Sequence, residues 1–152
     1  MNEDLCRSTL AEQFATAWLA RLDPREDGIR YVAAGHCAPL RIVAGARGGL
    51  HRSEVLRGTG FMLGLDPGLP FTEARAECQP EDRLVLYTDG MVEVEREDHD
   101  MLGEAGLRRL CAELPADADA AADELVSRIR AFNAPTPFVD DVTLVILDRL
   151  EA

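Results

Sequence analysis

Through its first half the chain sets short apolar runs between turn signals, and after residue 100 the apolar spacing lengthens to helix period before one last strand-like run. Leu84-Val85-Leu86-Tyr87 is rich in strand formers, with Glu81-Asp82 before it and Asp89-Gly90 after it. This predicts a strand buried on both faces that ends abruptly in a turn. Val142 to Leu147 predicts another, with Asp140-Asp141 immediately before it. Ile29–Val32 and Leu40–Val43 are expected strands. Ala44–Gly49 reads as a hairpin loop returning through a more polar, exposed strand over Leu50–Leu56. The alternation of Thr72–Cys78 suits a half-exposed strand. In Gly103–Leu114 the residues Leu107, Leu110, Cys111 and Leu114 share a helix face, and Pro115 ends the pattern. A second helix is expected over Asp117–Phe132, with Ala121, Leu125, Ile129 and Phe132 inward, and then a loop with two prolines leads to Asp140.

Three stretches are less plain. Over Glu3–Leu22, the residues Leu10, Phe14, Ala17, Trp18 and Arg21 fall at helix spacing, while Phe14, Thr16, Trp18 and Leu22 fit a strand, so both readings stay open. Arg57–Pro70 is punctuated by Gly58, Gly60, Gly64 and Gly68 without dinucleotide-fold spacing, and is read as a packed loop. Met91–Asp100 is so charged that a mobile loop is expected. Its acids Glu93, Glu95, Glu97, Asp98 and Asp100 lack calcium-loop spacing and read as a solvated surface.

Composition narrows the function. The chain has 152 residues, 47% of them hydrophobic, enough for one domain with a real core. Its formal net charge is −12 and every basic residue except histidine is Arg. The absence of Lys excludes a Walker-type phosphate loop and Schiff-base chemistry. The negative charge argues against nucleic acid or an anionic membrane as partner, since a binder of either must neutralise a polyanion. It suits a hard cation, and equally a surface kept soluble by acids. Cys6, Cys37, Cys78 and Cys111 are widely spaced with no CxxC, so buried packing thiols and a reduced, cytoplasmic setting are expected. The acidic start has no signal-peptide run, and no stretch approaches the about 20 apolar residues of a membrane helix.

The candidate chemistry lies in the acidic pairs. A carboxylate fixed where a rigid strand stops can be aimed at a ligand with little entropy left to lose. Asp-Gly is also an ordinary strand terminator, because Gly takes backbone angles that other residues avoid. Two strands with carboxylates at their ends offer to bring Asp89 and Asp140 together. His36, within the small-residue run Ala33–Pro39, reads either as a hydrogen-bonded structural residue or as a catalyst with a near-neutral pKa.

Taken in order, Ala34-Gly35-His36-x-x-Pro39-Leu40, then Met62-Leu63-Gly64-Leu65, then Asp82 through Gly90, and finally Asp140-Asp141-Val142-Thr143-Leu144-Val145 resemble the SpoIIE-type branch of the metal-dependent protein phosphatases, the protein phosphatase 2C-like or PPM family. The similarity runs from about Met1 to Leu150. It favours a helix near Asn2–Leu10 followed by a strand over roughly Phe14–Leu22.

The resemblance implies an α+β fold, an α/β/β/α sandwich of two antiparallel sheets flanked by helices, here incomplete. It implies removal of phosphate from phosphoserine or phosphothreonine in a protein substrate, such as an anti-sigma-factor antagonist in bacterial signalling. The cofactors would be Mn²⁺ or Mg²⁺, two in the family, suited to carboxylate oxygens and retained waters. Asp89 and Asp140 match two metal-binding aspartates, acting in catalysis through the metal, and Asp141 sits where relatives often carry Asn. The family's first metal motif, whose aspartate bridges the two ions, has no counterpart here; Glu3-Asp4 lacks its glycines. The expectations are therefore a single domain over residues 1–152 that forms the C-terminal portion of such a phosphatase, at most one well-held ion, and weak or absent activity. Exposed sheet edges are expected to favour self-association. The alternative is a non-catalytic regulatory or oligomerisation module on the same fold.

Overall fold

A computed structural model describes residues 1–8, 13–23, 26–43, 52–96 and 99–151. It contains three α-helices and seven strands among the described residues: α1 (Asn2–Ser8), β1 (Ala17–Leu22), β2 (Gly28–Ala34), β3 (Leu40–Val43), β4 (Arg52–Val55), β5 (Ala74–Glu77), β6 (Arg83–Tyr87), α2 (Gly103–Cys111), α3 (Ala118–Asn133) and β7 (Leu144–Asp148). The strands form two antiparallel sheets, of order β1-β2-β5 and β4-β3-β6-β7. The fold is α+β, as the sequence leads one to expect.

The chain divides into two compact units. The first comprises Met1–Ala38 and Leu56–Cys78. It carries α1 and the three-stranded sheet, in which β2 is central and pairs Ala17 with Ala34 on one side and Tyr31 with Ala74 on the other. The described helix is Asn2–Ser8, and the chain enters β1 through a bridge at Ala15 with Leu63, so the extended reading of Phe14–Leu22 is the right one. Trp18 stacks on Tyr31 with ring centroids 5.3 Å apart. Gly58 and Gly60 are required by close approach. A Cβ on Gly58 would lie 2.3 Å from the Ala33 Cβ, and one on Gly60 2.1 Å from the Ala33 carbonyl oxygen. The Arg57–Pro70 segment is thus packed against β2, as its glycines suggest.

The second unit comprises Pro39–Val55 and Gln79–Ala152. β3 and β6 are the inner strands of its sheet, and Leu40, Ile42, Leu84, Val85 and Tyr87 are buried. α3 packs along β7 and touches α2. Asp117 caps α3, its carboxylate accepting the Ala120 N–H at 2.8 Å. The inward face of α3 is Ala121, Leu125, Ile129 and, one position beyond the expected Phe132, Asn133.

Three expectations in this unit need correction. β7 is not buried on both faces: Val145 and Leu147 are 43% and 44% exposed, and they alternate with the half-buried Leu144, Ile146 and Asp148 on the other face. It also begins at Leu144, so Val142 and Thr143 lie between it and the acidic pair. Lastly, the described part of Met91–Asp100 is held in place. Met91 is fully buried and Val94 nearly so, and the Leu102 and Gly103 N–H groups donate to the Val94 and Val92 carbonyls. Two apolar residues anchor a segment whose charges suggested freedom. The hairpin loop Ala44–Gly49 and residues Leu10, Leu50, Glu97 and Asp98 lie outside the described residues.

Buried charge also holds this sheet together. Arg41 on β3 faces Glu54 on β4 across the ladder, donating from Nη1 to Oε2 at 2.9 Å. Its Nε donates to Asp82 Oδ2 at 2.8 Å, and the Gln79 N–H donates to the same oxygen at 2.6 Å. Burial lowers the guanidinium's pKa, but the hydrogen bond and charge of Asp82, with those of Glu54, outweigh this and hold it above its ordinary value. Arg83 on β6 grips Asp148 on β7 with two bonds and donates to the Pro115 and Ala116 carbonyls ahead of α3.

Candidate metal-binding site

Because β6 and β7 are antiparallel neighbours, the C-terminal end of one and the N-terminal end of the other lie at the same end of the sheet. Asp89 follows β6 by two positions and opens a 3₁₀ turn over Asp89–Met91. The last ladder pair is Tyr87 with Leu144. Beyond it, the Thr88 N–H donates to the Thr143 carbonyl at 3.2 Å, and the Thr143 N–H donates to Thr88 Oγ1 at 2.9 Å. Thr88 Oγ1 in turn donates to the Asp141 carbonyl at 3.0 Å.

Gly90 then passes against the second acidic pair. A Cβ built on it would stand 2.6 Å from the Asp141 carbonyl oxygen and 3.4 Å from that of Asp140. No side chain fits there. Gly90 is not among the residues with positive φ, so this position needs Gly for close approach rather than for unusual backbone angles. The segments bearing Asp89 and Asp140-Asp141 are therefore side by side, although they lie far apart in the sequence.

All three carboxylates are at the surface. Asp89 Oδ1 accepts the Gly90 N–H at 3.1 Å and Asp140 Oδ1 the Asp141 N–H at 2.7 Å. None of the three forms an ion pair with a described residue. An open cleft of about 670 Å³ adjoins Asp140, lined also by Gly90, Glu93, Asn133 and Thr136 among others. Arg96, on the cleft wall, is taken by Asp100 at 3.1 Å and lies over the Phe132 ring.

The donor set consists of hard carboxylate oxygens without a competing cation, which suits Mg²⁺ or Mn²⁺. Among the described residues no group of three His, Cys, Asp or Glu side chains encloses a metal position. The donors these two segments offer are of the kind used by an ion that keeps most of its waters and takes only one or two carboxylates. They do not fit a closed two-ion centre.

His36 lies in the first unit, its Nδ1 3.1 Å from Thr16 Oγ1, which is the hydrogen-bonded structural reading. Thr88 is the residue at this end of the sheet that sequence reasoning passed over. Its position between Tyr87 and Asp89 was visible, but its bonds reach across 53 and 55 residues and no local pattern reports them.

The family model for Stage II sporulation protein E matches residues 1–150. The chain belongs to the SpoIIE family. Among curated proteins no relative matches. Solved structures agree on the fold. The PP2C domain of SiaA from Pseudomonas aeruginosa superposes with a TM-score of 0.77 at 18% identity, covering 99% of this chain and 58% of that one. The manganese-presoaked phosphatase domain of the cell fate determinant SpoIIE from Bacillus subtilis gives 0.72 at 18% identity, with 99% and 63% covered. The catalytic domain of the serine/threonine protein phosphatase PstP, in complex with two manganese ions, gives 0.66 at 13% identity, with 99% and 67% covered. These identities speak for the fold alone. The chain spans less than two thirds of the length of the SiaA and SpoIIE domains it matches. Its fold is that of the PP2C-type phosphatases, a family of hydrolases. Among the described residues no helix is long and apolar enough to cross a membrane.

Proposed function

We propose that this SpoIIE-family chain is a metal-dependent serine/threonine protein phosphatase domain in which Asp89 and Asp140, assisted by Asp141, hold one Mn²⁺ or Mg²⁺ ion. The observation that carries the reading is the contact of Gly90 with the Asp140-Asp141 backbone at the end of β6, in a chain whose relatives include manganese-bound phosphatases. When bound, such an ion supplies an acidified water and offsets charge on phosphoryl oxygens. The chain's part is to aim its carboxylates from a rigid strand end, so little conformational freedom is lost on binding. The substrate is a phosphoserine or phosphothreonine protein of bacterial cytoplasmic signalling, such as an anti-sigma-factor antagonist. With carboxylates for one ion and no enclosing third donor among the described residues, turnover by this chain alone is weak.

Mn²⁺-dependent hydrolysis of p-nitrophenyl phosphate or a phosphoseryl protein tests this. Slow turnover that disappears in Asp89→Ala supports the reading. That no three-donor cluster occurs among the described residues also favours a second one, a non-catalytic regulatory or oligomerisation module. A stable dimer with neither turnover nor Mn²⁺ binding would establish that second reading instead.

A further inference from the structure

Resting on the proposed metal site, we infer that Thr88 is a positioning residue whose hydroxyl sets the spacing between Asp89 and Asp140-Asp141, and thereby the affinity for the cation. The regular ladder of β6 and β7 stops at Tyr87 and Leu144. Residues 140–143 belong to no strand, so sheet pairing does not hold the acidic segment at the end of β6. One backbone bond, from the Thr88 N–H to the Thr143 carbonyl, extends the pairing by a single position. Beyond that, the hydroxyl of Thr88 joins the two segments. It accepts from the Thr143 N–H and donates to the Asp141 carbonyl, using its one proton and a lone pair.

The Asp141 carbonyl is thereby drawn against Gly90, where the clearance is too small for a Cβ. Asp141 sits between the hydroxyl that holds it and the glycine that admits it. Asp89 is one residue from both. Loss of the hydroxyl frees residues 140–142 to move away from the 3₁₀ turn while leaving every carboxylate in the chain. Groups that orient metal ligands without touching the metal commonly change its affinity by about 10- to 100-fold. The inference concerns spacing, not ligation: Thr88 makes no contact with the ion.

The experiment is Mn²⁺ titration calorimetry on the full chain and on Thr88→Val, Thr88→Ser and Asp89→Asn, with thermal melting of each in the absence of metal. Thr88→Val keeps shape and the backbone bond while removing the hydroxyl. It is expected to raise the dissociation constant about tenfold or more. Thr88→Ser restores the hydroxyl and is expected to bind within about threefold of the parent, a recovery that a purely steric role of the threonine methyl would not give. Should the valine variant fail to fold, Thr88→Ala replaces it, with the same loss expected. Parent-like binding by Thr88→Val or Thr88→Ala alongside lost binding in Asp89→Asn overturns the positioning role and leaves the metal site standing. Equal loss in the valine and serine variants also overturns it. Parent-like binding by Asp89→Asn, or no binding by the parent, overturns the metal site itself.

Discussion

Individual side chains in this protein are set by what lies across from them in space. Cys111 is an example. It is 1% exposed on the inner face of α2, and burial raises its thiol to about 12 despite the opposing charges of Arg83 and Arg128. Tyr31 is raised by the same cause. Unfolding returns the thiol to its ordinary value of 9.0, so above that pH the unfolded chain releases a proton the native state keeps. The contribution to stability is fully present below pH 9 and is lost progressively as the pH rises towards 12. Urea unfolding between pH 8 and 11 is therefore expected to show declining stability, with a shallower decline in Cys111→Val; an equal slope in both would contradict the assignment. Gly90 makes the same point about neighbours. Asp89-Gly90 was legible as a strand end, but the reason for the glycine was not, since it lies in the distant backbone of Asp141.

Elements follow the same logic. β6 was readable because this inner strand carries the unbroken apolar run Leu84–Tyr87, and α2 and α3 because their apolar spacing repeats over several turns. β1 was ambiguous because it is an edge strand: Leu19 and Leu22 are exposed, so its apolar positions follow neither period cleanly. The arginine pairs were missed altogether. Nothing local in the sequence marks Arg41, inside a short strand, or Asp82, just before another, as partners, yet both are at most 4% exposed and bonded to each other. Arg41→Met leaves Asp82 buried without its guanidinium, a change expected to cost about 3–5 kcal/mol. Chemical denaturation checks it. A loss below about 1 kcal/mol, the scale of an exposed pair, would show that the bridge does not stabilise the sheet as described.

At the scale of the whole molecule, the fold class was recoverable because four short motifs occur in family order, each placed at a strand end or loop. The role of the acidic pairs follows less directly: topology brings Asp89 and Asp140-Asp141 to one end of a sheet, and chemistry suggests a cation. Among the described residues, β1 and β7 each end a sheet and carry exposed apolar side chains. On β1 the exposed residues include Leu19 at 68%, and on β7 Val145 at 43% and Leu147 at 44%. Such edges pair with other chains, so light scattering is expected to find a dimer or larger species at micromolar concentration, and a clean monomer would count against it.

The shared cation is the central claim, and Mn²⁺ binding stoichiometry in the parent, Asp89→Ala, Asp140→Ala and the double variant tests it most directly. One ion per chain is predicted, with both single variants losing affinity and the double variant little worse than either. Undiminished binding in Asp140→Ala while Asp89→Ala loses it would mean that the two aspartates do not hold the same ion.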